Sequence, residues 1–325
     1  MTYTLEQEQL SSDIPVIAQS FPPNAGQETL LAYWKQQLAS ASPVLELPTD
    51  RPRPPVQTCR GARHTLALPK ILSKAIAALS QGEGVTVFTT LLAAFKVLLY
   101  RYSGQEDILV GSPIAIRNPL ERDGDKELPA NTLVLRTNVA SNLSFRELLV
   151  RVQEVVLQAN LHKDLPFEKL VEALHSEQNL SYHPLFQVMF VLQDAMTPTW
   201  ALQEQTLSPL AVESAICADV CSSLSQQHLA IATKFDLTLN LQETPEGIGG
   251  FFEYSTDLFD AATIARMTGH FQTLLESIVA NPERQLSDLP LLTVAERHQL
   301  LVEWNNTFAD YPKNSCYHHL FEAQV

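Results

Sequence analysis

Residues 86–102 read TVFTTLLAAFKVLLYRY, a segment that is apolar on nearly every side of a helix. A helix of this kind lies beneath other layers of structure rather than at a surface. Residues 185–193, LFQVMFVLQ, are apolar on both faces of an extended strand, which is typical of a strand in the centre of a sheet. The chain is therefore predicted to fold around a sheet that helices cover.

The remaining periodic segments extend this α/β prediction. Two capping boxes, Ser144 with Glu147 and Thr293 with Glu296, predict helix starts. Strands that alternate with long helices indicate an α/β sheet with helices on its faces. The predicted elements are a helix in ETLLAYWKQQL from Glu28, a helix between Pro69 and Gly82, strands DILVGSP and NTLVLRTNV, a hairpin of KFDLTLNLQ and GGFFEYS around PEG, and a helix over residues 260–280.

Three stretches lack a regular period. Residues 1–28 are interpreted as a loose leader, and LPTDRPRPPVQ is too rich in proline for a helix or a central strand. The latter is predicted to cross the surface in an extended form. Residues 194–230 are interpreted as a long connection or an insertion.

Charge and composition exclude several classes of partner. The net charge is −14 and the pI is about 5.0, and no run of Lys and Arg offers phosphates a positive stripe, so nucleic acid is not expected as a partner. The start lacks a signal-peptide pattern and no apolar run has membrane-spanning length, so we expect a cytoplasmic protein without a membrane partner.

The four cysteines, Cys59, Cys217, Cys221 and Cys316, are too few and too scattered for a disulfide framework. Cys217 and Cys221 could share a helix face and bind a metal with His228, but the sequence has no matching second pair. The alternative is a pair of small apolar side chains. The expectation is no metal site.

Eight sequence blocks follow one another in a characteristic order. They are YWKQQL, LPTDRPRP, GVTVFTTLLAAFKVLLYRYSGQEDILVGSPIAIRN, NTLVLRT, HKDLPFEKLVEAL, HPLFQVMFVLQ, KFDLTLNL and EYSTDLFD. Together they resemble the condensation domains of nonribosomal peptide synthetases, in which two aminoacyl or peptidyl groups held as thioesters on carrier proteins are joined by an amide bond. The sequence LLTVAERHQLLVEWNNT resembles the linker to an adenylation domain, and YHHLFEAQV resembles the first helix of that domain.

The resemblance implies a chloramphenicol-acetyltransferase-like lobe with a mixed sheet and helices packed on it. It assigns residues 1–28 to an unmatched leader, 29–283 to the C-terminal lobe of a condensation domain, 284–308 to a linker and 309–325 to the start of a truncated adenylation domain. In this family a tunnel between two lobes admits phosphopantetheine arms. The implied partners are peptidyl carrier proteins, which present that phosphopantetheine, and a first lobe or other synthetase domains. No directly bound cofactor is expected.

The family's active-site motif, His-His-x-x-x-Asp-Gly, belongs to the first lobe and does not occur in this sequence. The pair His318 and His319 is followed by LFEAQ, without Asp-Gly. A positioned base contributes about 10² to 10⁴ in rate, and no other residue plainly substitutes for it. The hypothesis is therefore a lobe without catalytic residues, which forms no amide bond on its own.

By the same resemblance, three residues are candidates for the tunnel wall. Ser112 in GSPIAIRN could bond the thioester or the pantetheine arm, or instead satisfy a turn before Pro113. Arg117 could pair with a carboxylate across the lobes, or lie at the surface. Asn131 begins the family's Asn-Thr block, whose preceding Gly and aromatic are replaced here by Glu127 and Pro129.

The block HKDLPFEKL matches a family motif for which we expect an architectural role rather than a chemical one. Pro166 would fix the first turn of a helix, Asp164 would accept from free backbone donors there, and His162 would make a structural hydrogen bond. Phe167 and Glu168 complete the motif. A further family block, Arg-Asp-x-Ser-Arg-Asn-Pro-Leu, is weakened to QNLSYHPL at residues 178–185, which fits either relaxed selection or specialisation.

Two other functions stay open from the sequence. One is a binding module that docks a carrier protein or covers another domain without chemistry. Exposed apolar surface would support it and would also promote a homodimer. The other is a stand-alone acyltransferase that uses His183 or His228, although neither has a nucleophile or an orienting carboxylate nearby in the sequence.

Overall fold

The computed structural model describes residues 26–42, 44–115, 130–140, 142–174, 180–193, 231–308 and 316–325. Seven strands form one mixed sheet in the order β3-β2-β4-β6-β7-β1-β5. The strands are β1 (Arg60–Ala67), β2 (Asp107–Ala115), β3 (Ala130–Asn138), β4 (Val188–Gln193), β5 (Ile231–Ala232), β6 (Leu237–Thr244) and β7 (Gly247–Ser255). Strand β4 runs parallel to both of its neighbours, β2 and β6, and the other pairs are antiparallel.

Helices pack against this sheet, as the alternating pattern predicted. The described helices are α1 (Gly26–Gln37), α2 (Lys70–Gly82), α3 (Val87–Ser103), α4 (Phe145–Leu161), α5 (Phe167–Leu174), α6 (Ala261–Ala280), α7 (Val294–His298) and α8 (Tyr317–Glu322). Of these, α7 and α8 have no buried residue. Both predicted capping boxes are confirmed at the starts of α4 and α7. The mixed α/β fold with helices on its sheet is therefore the one predicted.

The segment 86–102 forms the buried helix that its composition predicted. Every residue of α3 from Thr89 to Leu99 is buried. The strand prediction for LFQVMFVLQ is also confirmed in its central position, although β4 begins only at Val188. The predicted hairpin forms β6 and β7, which pair from Leu237 opposite Tyr254 to Thr244 opposite Gly247.

Several boundaries differ from the predictions. Helix α1 begins at Gly26 rather than at Glu28, and β2 continues through Pro113 to Ala115. Strand β1 was missed, because only Leu66 among its side chains is fully buried and RGARHTLA therefore shows little apolar alternation. The proline-rich crossing has neither helix nor strand, as predicted.

A lysine lies in the core, where the sequence predicted only a buried apolar helix. The Lys96 side chain on α3 is 0 % exposed, and its Nζ donates to Leu135 O at 2.6 Å, Thr137 Oγ1 at 3.0 Å and Ile108 O at 3.2 Å. These acceptors use all three ammonium hydrogens. Burial lowers the pKa of Lys96 to about 7, and the nearby Asp107 opposes the shift.

Within the described ranges, no single helix has the length and apolar character to cross a membrane. Helices α2 and α3 meet that test only when taken together, and a bend of 107° separates them. Both belong to the helical layer packed on the sheet.

Candidate functional site

Four sequence blocks that are far apart in the chain meet at one place beside β2 and β3. We call this place the motif junction and define it by Gly111, Ser112, Asn131, Phe167 and Phe186. Its members come from GSPIAIRN, from the Asn-Thr block, from HKDLPFEKL and from HPLFQV. The fold alone brings these blocks together.

Asn131 joins β3 to the segment before α5. Its Nδ2 donates to Lys163 O at 2.7 Å and Leu165 O at 2.8 Å, and its Oδ1 accepts from Thr132 N at 2.9 Å and Phe167 N at 3.0 Å. An amide side chain has two donors and about two acceptor positions, so these bonds occupy its full capacity. Asn131 is 6 % exposed and has no hydrogen-bonding group left over for a substrate.

Aromatic rings fill the space behind this connection. The Phe167 ring lies 5.6 Å from the His183 ring and 5.8 Å from the Phe186 ring, measured between centroids. Phe186 in turn stacks on Phe235 at 5.2 Å. Contacts of this kind add to the stabilisation from burial. His183 therefore belongs to an aromatic cluster that links three segments.

Gly111 allows the Phe186 ring to approach the sheet. A Cβ at residue 111 would lie 2.2 Å from Cε2 of that ring, which is far inside van der Waals contact. Only glycine leaves room for the ring at this point of β2. The neighbouring Ser112 is 4 % exposed and pairs with Leu133 of β3.

The alternative role expected for Ser112, a turn before Pro113, is wrong because both residues lie inside β2. Ser112 stands opposite Leu133, two residues after Asn131 on β3, so its side chain shares the Asn131 face of the strand pair. Ser112 therefore stays a candidate for the tunnel wall.

The prediction that Asp164 of HKDLPFEKL accepts hydrogen bonds from backbone donors at the start of α5 is wrong. Asp164 is exposed and makes no hydrogen bond to the start of α5 within the described part of the chain, where Asn131 accepts from Phe167 N instead. Asn131, which lies on β3, takes the place of a local cap at the start of α5. Pro166 directly precedes the helix, whose first turn contains the exposed Glu168.

His162 ends α4 and contacts α1. Its Nδ1 lies 2.8 Å from Gln158 O, its ring stacks on Tyr33 at 3.6 Å, and its carbonyl accepts from Trp34 Nε1 at 3.1 Å. Burial raises the pKa of Tyr33. These contacts give His162 a place in the packing of α1 against α4.

An ion pair next to the aromatic cluster was not predicted. Arg53, from the proline-rich crossing, binds Asp236 with both terminal nitrogens and also donates to Ser181 O at 3.3 Å. Its guanidinium lies 5.8 Å from the Tyr182 ring centroid. The Asp236 hydrogen bond raises the pKa of Arg53, whereas burial raises the pKa of Asp236 and Arg53 opposes that shift. A paired, ionised arrangement satisfies both groups.

A polar cleft of about 670 Å³ adjoins the stacked Tyr33. It opens between α1, α4 and the ends of β2 and β3, with Arg151 and Glu154 on one wall. The Arg136 guanidinium donates to the Asp107 carboxylate from both Nε and Nη2. The shortest of these distances, from Nη2 to Oδ2, is 2.8 Å. Its lining mixes charged and polar side chains with Tyr33 and Val155, whereas small-molecule pockets are usually mostly apolar.

Some candidates lie outside the described residues, namely Arg117, Cys217, Cys221 and His228. His318 and His319 lie in α8 and are exposed. In the described ranges, no group of three or more His, Cys, Asp or Glu side chains could hold a metal ion.

The sheet order and the helices packed on it define a chloramphenicol-acetyltransferase-like α/β fold. A family model described as "Condensation domain" matches residues 15–301. The chain belongs to this condensation-domain family, whose members occur in nonribosomal peptide synthetases.

Relatives of known function agree with that assignment. The chain is 50 % identical over 291 residues to one of the linear gramicidin synthase subunits of Brevibacillus parabrevis, covering 90 % of this chain and 5 % of that protein. It is 47 % identical over 298 residues to another of the subunits of the same synthase, covering 92 % of this chain and 4 % of the relative. The chain therefore spans about a twentieth of these relatives' length.

A solved structure shares the fold. The X-domain from teicoplanin biosynthesis superposes with a TM-score of 0.67 at 25 % sequence identity, covering 83 % of this chain and 58 % of that chain.

Proposed function

We propose that this chain is the second lobe of a nonribosomal peptide synthetase condensation domain. In this role it forms one wall of the tunnel in which carrier-bound aminoacyl or peptidyl thioesters are joined by an amide bond. The motif junction carries the proposal, because Asn131, Phe167 and Phe186 fix blocks from three parts of the chain in one rigid arrangement. Ser112 and Arg117 are the proposed tunnel-facing residues.

The proposed domain bounds follow the resemblance: the lobe over residues 29–283, the linker over 284–308 and the start of an adenylation domain over 309–325. The end of α6 at Ala280 and the irregular stretch after it support the first of these boundaries. Phosphopantetheine would arrive attached to peptidyl carrier proteins, so the lobe itself would bind no cofactor directly.

The lobe alone is proposed to be inactive in amide-bond formation. Amide formation needs a positioned acceptor for the proton of the attacking amine, which the family supplies from its His-His motif. Among the described histidines, His162 is stacked on Tyr33 and His183 lies within the aromatic cluster. The proposal accordingly names no catalytic residue in this chain.

The second candidate is a module that binds a carrier protein, or a second copy of this chain, without chemistry. Exposed apolar side chains on α4 favour it: Val150, Leu157 and Leu161 are 60 %, 56 % and 63 % exposed and recur at helical spacing on one face. Such a face suits a protein partner.

Calorimetric titration separates these two functions. The purified chain is titrated with a carrier protein in its phosphopantetheinylated and its unmodified forms, with and without a separately expressed first lobe from a related condensation domain. The leading proposal predicts that binding selective for the phosphopantetheinylated form requires the first lobe. Equal binding of both carrier forms by the chain alone would support the docking module and contradict the leading proposal.

A further inference from the structure

The polypeptide that follows α6 is attached to the lobe at two successive places along the chain. At the first, Leu286 and Leu289 are buried, and Arg101 Nη1 donates to the carbonyl oxygens of Leu286, Ser287 and Leu289 at 3.1, 3.1 and 2.7 Å. Burial of Leu286 and Leu289 supplies most of this attachment, so the loss of a single polar contact should not release it.

The second place of attachment lies in residues 292–307, which we call the linker segment. It contains α7 and a π-helical turn, Gln299–Glu303, and neither has a buried residue. Three of its large apolar side chains, Val294, Leu301 and Trp304, are 88 %, 57 % and 64 % exposed. Apolar burial therefore contributes little to holding this segment in place.

One side-chain contact joins the linker segment to the lobe by hydrogen bonding. His270 Nε2 on α6 lies 3.1 Å from both carboxylate oxygens of Glu296, and His270 Nδ1 lies 2.6 Å from Tyr102 Oη on α3. In the described part of the chain, the other hydrogen bonds and ion pairs of residues 292–307 stay within the segment.

The partner of Nε2 assigns the direction of that hydrogen bond. Burial raises the pKa of Tyr102 to about 12, so its hydroxyl keeps its proton beside Nδ1. Burial works to raise the pKa of Glu296, but the bonds from Thr293 and the nearby His270 outweigh it and the pKa is lowered. The Glu296 carboxylate can only accept, so His270 Nε2 donates to it, in a stronger bond than one between neutral groups.

We propose that Tyr102, His270 and Glu296 form a latch that holds the linker segment in one orientation on α6 and can open while the lobe stays folded. The latch goes beyond the proposed function and does not depend on it. It sets the direction in which the chain leaves the lobe. Its release would free residues 292–307 to reorient, with Leu289 and Arg101 still anchoring the preceding turn.

Amide hydrogen exchange of the full chain, followed peptide by peptide, tests the latch. His270→Ala is expected to raise exchange in residues 292–307 by about tenfold, the effect of losing a hydrogen bond to a charged group. Peptides from α3 and α6 should exchange as in the parent protein. His270→Gln, which can still donate to Glu296, should recover most of the protection.

Two comparisons exclude effects within the linker segment itself. Thr293→Val breaks the capping box but leaves the latch, whereas Glu296→Ala removes both, so Glu296→Ala should raise exchange well beyond Thr293→Val. Glu303→Gln changes a carboxylate that pairs with His298 inside the segment and should have little effect. The proposal is overturned if Glu296→Ala matches Thr293→Val, or if His270→Ala leaves residues 292–307 unchanged or loosens α3 and α6 to the same extent.

Discussion

The side-chain oxygen of Asn131 accepts a hydrogen bond from the backbone nitrogen of Phe167 at 3.0 Å, across 36 residues of sequence. The bond fixes the start of α5 against β3 and takes the place of a local helix cap. It thereby sets the position of the aromatic cluster in which Phe167 packs.

Asn131→Ala should lower the free energy of unfolding by roughly 2–4 kcal/mol, because it leaves several buried backbone groups without partners. Urea unfolding measures the change. Asn138→Ala on the same strand is the matched control, since that side chain is exposed, and it should have little effect. Equal effects of the two substitutions would contradict the role assigned to Asn131.

Gly111→Ala should destabilise the protein by about 1–3 kcal/mol through overpacking against the Phe186 ring. Gly249→Ala on β7 is the control, because its added Cβ would meet its nearest atom at 3.6 Å, an ordinary contact. Phe186→Leu in the Gly111→Ala background should recover part of the loss. A Gly111→Ala protein as stable as Gly249→Ala would show that the ring does not occupy this space.

Arg53→Met should lower the free energy of unfolding by roughly 3–5 kcal/mol, because it leaves the buried Asp236 carboxylate without its partner. Thermal or urea unfolding reports the loss. Replacing both residues, as in Arg53→Met with Asp236→Leu, should cost less than Arg53→Met alone. A double variant less stable than the single one would refute the pairing argument.

The stability of the protein should depend on pH through Lys96. Burial lowers the pKa of Lys96 from 10.5 to about 7, so between these values the unfolded chain binds a proton that the folded protein has released. Stability contributed by this group therefore rises from about pH 7 to 10.5, falls again as the pH is lowered over the same interval, and no longer changes below about pH 7.

Urea unfolding of the parent protein and of Lys96→Met, repeated across that range, isolates this contribution. The parent should gain stability relative to Lys96→Met as the pH rises, while Lys74→Met, at an exposed position on α2, should follow the parent. Identical pH slopes for the parent and Lys96→Met would contradict the assignment.

Features determined by nearby residues could be predicted from the sequence. The capping boxes at Ser144 and Thr293 depend on a spacing of three residues, and the buried α3 and the β6–β7 hairpin follow from local apolar patterns. The polar strand β1 was missed because its pairing with β7 does not require an apolar face.

The polar contacts of the site could not be predicted in the same way. Arg53 and Asp236 are 183 residues apart, and Tyr102, His270 and Glu296 come from three different helices. Such pairs depend on the order of the strands and on how the helices pack. Lys96 was predicted to lie in a buried helix, but its acceptors on β2 and β3 become evident only from the fold.

The most direct test of the central claim is a reconstitution assay for amide-bond formation between two loaded carrier proteins, followed by mass spectrometry of the carrier-bound product. The chain alone should give no product above a buffer control, and adding a separately expressed first lobe that carries the His-His motif should restore product formation. A first lobe with that motif changed to alanine serves as the control and should restore nothing. Turnover by the chain alone, or no gain from the intact first lobe under conditions in which both lobes are folded and associated, would contradict the account.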